Sequence, residues 1–257
     1  MEHDAFFQRD GESYVPQPAC RGPWNPNSLH GRVVIGLIGF ELERLHGGEE
    51  WMPVRLTVDM YRLPDFAQIT AVTRVVRGGR RIKIVDCELL SGGKSVARGT
   101  CQFLLRSENA PGKTWSLPDW NAPKPEDLPS PPTGQFGERM WKMRNVSDWF
   151  STNGARRGAW LAEIRELVEG EPLTPFTRVA LAADFTSPLA NRSENSLGYI
   201  NTDVNVYLHR LPVGEWIGFE KINHQASDGG AIGECFLYDV DGAIGSASCA
   251  ALRQERG

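Results

Sequence analysis

The chain repeats itself at a fixed offset. Arg62-Leu63-Pro64, closing the segment VRLTVDMYRLP, returns as Arg210-Leu211-Pro212 at the end of TDVNVYLHRLP, 148 positions later (210 − 62 = 148). The same offset, without a gap, carries Cys87 onto Cys235, Cys101 onto Cys249, Ile69 onto Ile217, Ile84 onto Ile232, Leu89 onto Leu237 and Leu104 onto Leu252. Solenoids and arrays repeat every 20–50 residues or so. A period this long instead predicts two similar domains in one chain, and 257 residues suffice for both.

Each half reads in the same order. After the loop GPWNPNSLHG, Val34, Leu37, Ile38, Leu42 and Leu45 fall near i, i+3, i+4 spacing and predict a helix with one apolar stripe. Gly36 and Gly39 weaken it by up to about 1 kcal/mol each, a cost that close approach to another backbone would offset. The pattern then changes to period two at Leu56, Val58 and Met60. Strand-like runs follow at 68–76, 81–90 and 95–105, with Gly78-Gly79 and Gly92-Gly93 as turns. In the second half the helical stretch TPFTRVALAADF precedes alternating Val204, Val206 and Leu208. Runs at 215–223, 231–238 and 243–253 are separated by Asp228-Gly229-Gly230 and Asp241-Gly242. A helix followed by an antiparallel meander is an α+β unit.

Between the halves, from Glu108 to about Pro132, seven prolines after position 110 exclude helix interior and central strand. Trp115 and Trp120 predict that this connector lies against a domain. Residues 160–168 read as a short additional helix.

Composition narrows the function. A net charge of −4 offers no broad basic surface, which argues against a nucleic-acid partner. No apolar run approaches the roughly 18 residues that a membrane span needs, so membrane insertion is not expected. The start, MEHDAFFQRDGES, lacks a basic-then-apolar signal pattern. Five cysteines without C-x-x-C spacing suggest neither a disulfide framework nor a metal site, and a reduced, cytoplasmic protein without a cofactor is the simplest expectation.

The strings GPWNPNSLHG, YRLPDFAQITAVTRVVRGGRRIKIVDCELLSGGKSVARG, INTDVNVYLHRLPVGEWIGFE and LYDVDGAIGSA resemble the actinobacterial branch of the acyl-CoA thioesterase II family over residues 12–253. The resemblance implies a double hotdog fold: an N-terminal repeat at 12–106, a Pro/Trp-rich connector at 107–159 and a C-terminal repeat at 160–254. It also implies that the sheets can pair further into a homo-oligomer.

By the same resemblance, members hydrolyse acyl-CoA thioesters with an Asp, a Thr or Ser, and a Gln in the second repeat. The Asp falls on Asp184, the hydroxyl residue on Asn201 and the Gln on Cys249. Asp184 follows an apolar stretch, and burial would raise its pKa toward a general base; capping the helix end is the plainer role. Asn can hold a water but cannot deprotonate it. Alternation run back from Val204 points Thr202, rather than Asn201, toward the helix. Cys249 offers a weak donor and acceptor where an amide would offer both strongly; its repeat partner Cys101 suggests a buried filler, and His224 is the nearest histidine in sequence. His30-Gly31, before the first helix, would let a substrate carbonyl approach backbone N–H groups, or simply form a cap and turn. Arg77, Arg80 and Arg81 could meet CoA phosphates or form a solvated hairpin tip.

Two functions compete. One is a thioesterase acting on a fatty or other apolar acyl-CoA, slowed by loss of the Gln. The other is a non-catalytic acyl-CoA or lipid-binding double-hotdog protein that kept the groove. Hotdog hydratases resemble a third class, with His five residues after the Asp; Leu189 stands there instead.

Overall fold

A computed structural model describes residues 4–25, 27–116, 120–130, 140–147, 157–194 and 196–254. In chain order its elements are β1 (Phe7–Asp10), β2 (Ser13–Pro16), α1 (Gly31–His46), β3 (Trp51–Asp59), β4 (Ile69–Gly78), β5 (Ile82–Ser91) and β6 (Lys94–Leu105). There follow β7 (Trp141–Asn145), β8 (Gly158–Glu163), α2 (Pro175–Ala183), α3 (Thr186–Asn191), β9 (Tyr199–Asn201) and β10 (Asp203–Leu208). The chain ends on β11 (Trp216–Ser227), β12 (Gly230–Asp239) and β13 (Gly242–Arg253). Helices beside antiparallel strands make an α+β protein.

The strands form one sheet in the order β1-β2-β4-β5-β6-β3-β10-β13-β12-β11-β8-β7, with β9 paired to β13. Pairing recurs at the sequence offset. Leu56 faces Cys101 and Asn205 faces Ser248, on β3–β6 and β10–β13; Thr57 faces Thr100, the counterpart of that second pair. Cys87 faces Gly99, and Cys235 faces Ala247. Even the irregularity between Leu89 and Leu90 returns between Leu237 and Tyr238. At the centre, β3 pairs with β10, and Thr57 lies opposite Asn205, the residue 148 positions away.

The helices pack on the sheet and on each other. From Arg32 to Leu42, α1 is buried throughout. The two helix glycines permit its close contact with α2: a Cβ on Gly36 would come within 2.6 Å of Leu181, and one on Gly39 within 2.7 Å of Ala180. With Glu43 bonded to Thr174 and Thr177, and Gly31 against Asp184, the helices run antiparallel. The N-terminus of each therefore meets the far end of the other.

Three expectations change. Residues 158–163 form strand β8 instead of starting a helix, because Gly158–Ala162 are all buried between β7 and β11; β7 and the start of β8 also lie within the span expected to be connector. Trp120 does lie against a domain, 4.7 Å from the Tyr238 ring and 5.2 Å from that of Trp160, but Trp115 is 79% exposed. The N-terminal hairpin β1–β2 has no counterpart in the sequence reading; it anchors through Phe6 and Phe7, whose N–H groups donate to the carbonyls of Glu166 and Leu167. Among the described residues no helix is long and apolar enough to cross a membrane.

Candidate active site

Asp184 stands where α2 stops and α3 begins. Its carboxylate lies over the first turn of α1, so close that a Cβ on Gly31 would come within 2.7 Å of Oδ1. Only glycine fits between the acid and the helix end, where the dipole favours negative charge. The Asn201 amide donates to Asp184 Oδ1 at 2.9 Å, and His30 Nδ1 lies 3.2 Å from Oδ2.

His30 serves two partners with one atom. Nδ1 also sits 3.2 Å from the backbone N of Arg32, which donates to it as the cap of α1. A ring nitrogen either donates or accepts. Protonated, Nδ1 donates to Asp184; bare, it caps the helix.

Burial alone would push the Asp184 carboxyl up. Against it act the hydrogen bond and charge of His30, the Asn201 amide and the Arg32 guanidinium, and together they hold the group below its ordinary value. The expected upward shift is therefore corrected: the acid is buried but supplied with donors. Arg32 is itself buried, 3.5 Å from Glu163, donating to the Met140 carbonyl and lying between the rings of Phe6 and Trp141. An arginine directly after His-Gly was a sequence signal that the apolar periodicity passed over.

These groups open onto a cavity of about 150 Å³ whose apolar wall includes Leu29, Val34, Met60, Ile200 and Leu252. His30, Gly31, Asp184, Asn201 and Thr202 all line it, and so does Arg62. Of the two residues in question, Asn201 reaches the acid, whereas the Thr202 hydroxyl donates to the Ala250 carbonyl. The alternation argument failed because the chain breaks between β9 and β10 at Thr202, which resets parity.

The remaining candidates lie elsewhere. Cys249 is buried outside the cavity lining, and burial pushes its thiol up to about 12. Its neighbours are Ser187 and Asn191, whose Nδ2 lies 3.8 Å from Sγ. His224 bonds Asn191 Oδ1 at 2.9 Å, so a histidine is one residue removed from the thiol. A buried thiol with a raised pKa is a poor nucleophile, and Cys101 in the first half is buried in the same way. Arg77 and Arg80 sit with Arg81 at the exposed β4–β5 tip. There Lys83 donates to the His46 carbonyl at the end of α1. That is one sixteen-residue helix away from Asp184, roughly 24 Å.

Residues 20–104 match the acyl-CoA thioesterase N-terminal domain family, and residues 116–249 match the C-terminal domain family. The chain belongs to the acyl-CoA thioesterase family. An uncharacterized protein of Mycobacterium tuberculosis is 22% identical over 83% of this chain and 84% of its own length. Among solved structures, a provisionally assigned thioesterase of Novosphingobium aromaticivorans superposes with a TM-score of 0.76 at 18% identity, covering 97% and 99% of the two chains. An acyl-CoA thioesterase II, TesB2, of Mycobacterium marinum gives 0.65 at 15%, covering 96% and 93%. A hot dog fold protein of unknown function from Alicyclobacillus acidocaldarius gives 0.73 at 15%, covering 97% and 96%. At these identities the structural likeness is one of fold.

Proposed function

We propose that the protein hydrolyses an apolar acyl-CoA to the free acid and CoA, using water activated at Asp184. The observation that carries this reading is an ionised carboxylate, fed by His30 and Asn201, at the N-terminal end of α1 and on the wall of an apolar cavity. Asp184 takes the proton of a water whose oxygen attacks the thioester carbonyl. The oxyanion forms beside the first turn of α1, where the Gly31 N–H and the helix dipole stabilise it. Collapse breaks the C–S bond, and the proton passes from Asp184 to the departing thiolate. Asn201 fixes the carboxylate and does not itself move a proton.

In this reading the register repeat is that of a double hotdog, 12–106 and 160–254, joined by 107–159. The family matches at 20–104 and 116–249 support two units, the second of them beginning within 107–159. Five buried, unpaired cysteines fit a reducing compartment such as the cytoplasm. Cys249 takes no part in the reaction.

The test is free-thiol release from short, long and aromatic acyl-CoAs by wild type and Asp184→Asn. Turnover confined to wild type supports the mechanism. No turnover, with acyl-CoA still raising the melting temperature, would make this a binding protein instead.

A further inference from the structure

The two Arg-Leu-Pro segments have opposite fates. In the second half Arg210 is clamped: Nη1 and Nη2 bond the two carboxylate oxygens of buried Asp239, the latter at 2.7 Å, and Nη2 also donates to the Gly242 carbonyl. Asp239 pairs with Gly242 at the β12–β13 turn. The corresponding pair at the β5–β6 turn is Ser91 with Lys94, each 148 positions earlier. Serine thus stands where the clamping carboxylate would be. Its Oγ is buried and has no hydrogen-bond partner among the described residues. Arg62, the counterpart of Arg210, is exposed, with no ion pair from its guanidinium among those residues, and it lines the cavity that holds Asp184. The strand exit has also advanced by one residue: Arg62 N–H donates to the Val96 carbonyl, whereas His209, not Arg210, donates to Ile244.

We propose that Arg62 holds a phosphate group of CoA at the mouth of the cavity, released for that task by the replacement of an aspartate with Ser91. This rests on the acyl-CoA reading of the site. A second groove adjoining the cavity shares Met60, Tyr61, Thr202 and Leu252 with it, and carries Asp59, Glu88 and Asp203 against Arg98, which is already 3.2 Å from Asp59. Three carboxylates and one occupied guanidinium repel an anionic nucleotide. Arg62 offers the reverse: an uncommitted planar fork suited to phosphate oxygens. The pantetheine arm then leads from Asp184 past Arg62, and the nucleotide lies on that side.

Calorimetry with CoA and with pantetheine, which lacks the nucleotide, tests the assignment. The preference for CoA, read as the ratio of the two dissociation constants, is expected to fall about tenfold or more in Arg62→Ala. Arg62→Lys, which keeps the charge but not the planar fork, is expected to retain part of it. Arg62→Ala decides the matter, since it removes an exposed side chain and leaves no buried group unpaired. An unchanged ratio in that variant overturns the role of Arg62 and leaves hydrolysis standing if wild type still turns over acyl-CoA. A wild type that neither binds CoA nor turns over its thioesters overturns both.

Discussion

His30 Nδ1 lies 3.2 Å from Asp184 Oδ2, so the cap of α1 and the end of α2 are joined through one hydrogen-bonding atom. In the proposed reaction the acid is the chemical group, and in the fold it is part of the joint between the halves. Asp184→Asn is therefore expected to remove turnover by at least about a hundredfold. It should also lower stability at pH 7 by about 1–3 kcal/mol. The sign follows from a folded-state pKa held below the ordinary carboxylate value: the stabilisation is present above the unfolded value and lost as pH falls through the folded one. Denaturation of both proteins at pH 7 and near pH 3 checks this, with the gap closing in acid.

The same lowered pKa sets the pH profile. The carboxylate remains charged through mildly acidic solution, so kcat/KM is expected to hold until pH falls below the ordinary carboxylate range. An acid limb near neutrality would instead assign the essential base to an imidazole.

Asn201 and Thr202 separate cleanly by partner. Asn201→Ala removes a donor from Asp184 Oδ1; turnover should fall roughly tenfold and the acid limb should move upward. Thr202→Val loses a 3.3 Å bond to a backbone carbonyl and should cost far less. Equal losses in kcat would return the hydroxyl to the mechanism.

Cys249 should be silent. With the thiol buried and pushed up to about 12, iodoacetamide at pH 7.5 is expected to leave turnover intact. Cys249→Gln should destabilise by about 1–3 kcal/mol through overpacking, and any gain in rate from it would restore a role for the amide.

At the opposite helix junction, burial raises the pKa of Glu43, while bonds from Thr174 and Thr177 oppose the shift only in part. A carboxyl with a raised folded-state pKa destabilises the fold once ionised, and the penalty fades as pH drops through that value. Glu43→Gln is thus expected to raise the melting temperature at pH 7 and to change it little near pH 4.

Much of this was legible in the sequence. The offset between Arg62 and Arg210 returns in the strand pairing, and the close approach expected at Gly36 and Gly39 is made with α2. Periodicity misread Ala159–Ala162, because a strand buried on both faces shows no alternation. Asp184 was found, but not the donors that lower its pKa, since His30 and Asn201 reach it from far along the chain. Alternation favoured Thr202 over Asn201 because it assumes an unbroken strand. Arg77 and Arg80 were grouped with the site by charge alone, and charge carries no information about which end of a helix a hairpin reaches.

Thr57 faces Asn205 across β3 and β10, each residue opposite its own repeat counterpart. The two halves consequently meet inside one polypeptide, and the Asp184 junction takes His30 and Gly31 from one of them and Asp184 and Asn201 from the other. A symmetric dimer would have to dissociate on dilution and would owe both sites the same residues. Here neither constraint applies: the pairing of His30 with Asp184 persists at any protein concentration. The other junction, filled by Glu43, Thr174 and Thr177, has been free to become pure scaffold, so ligand should saturate this protein at one equivalent per chain.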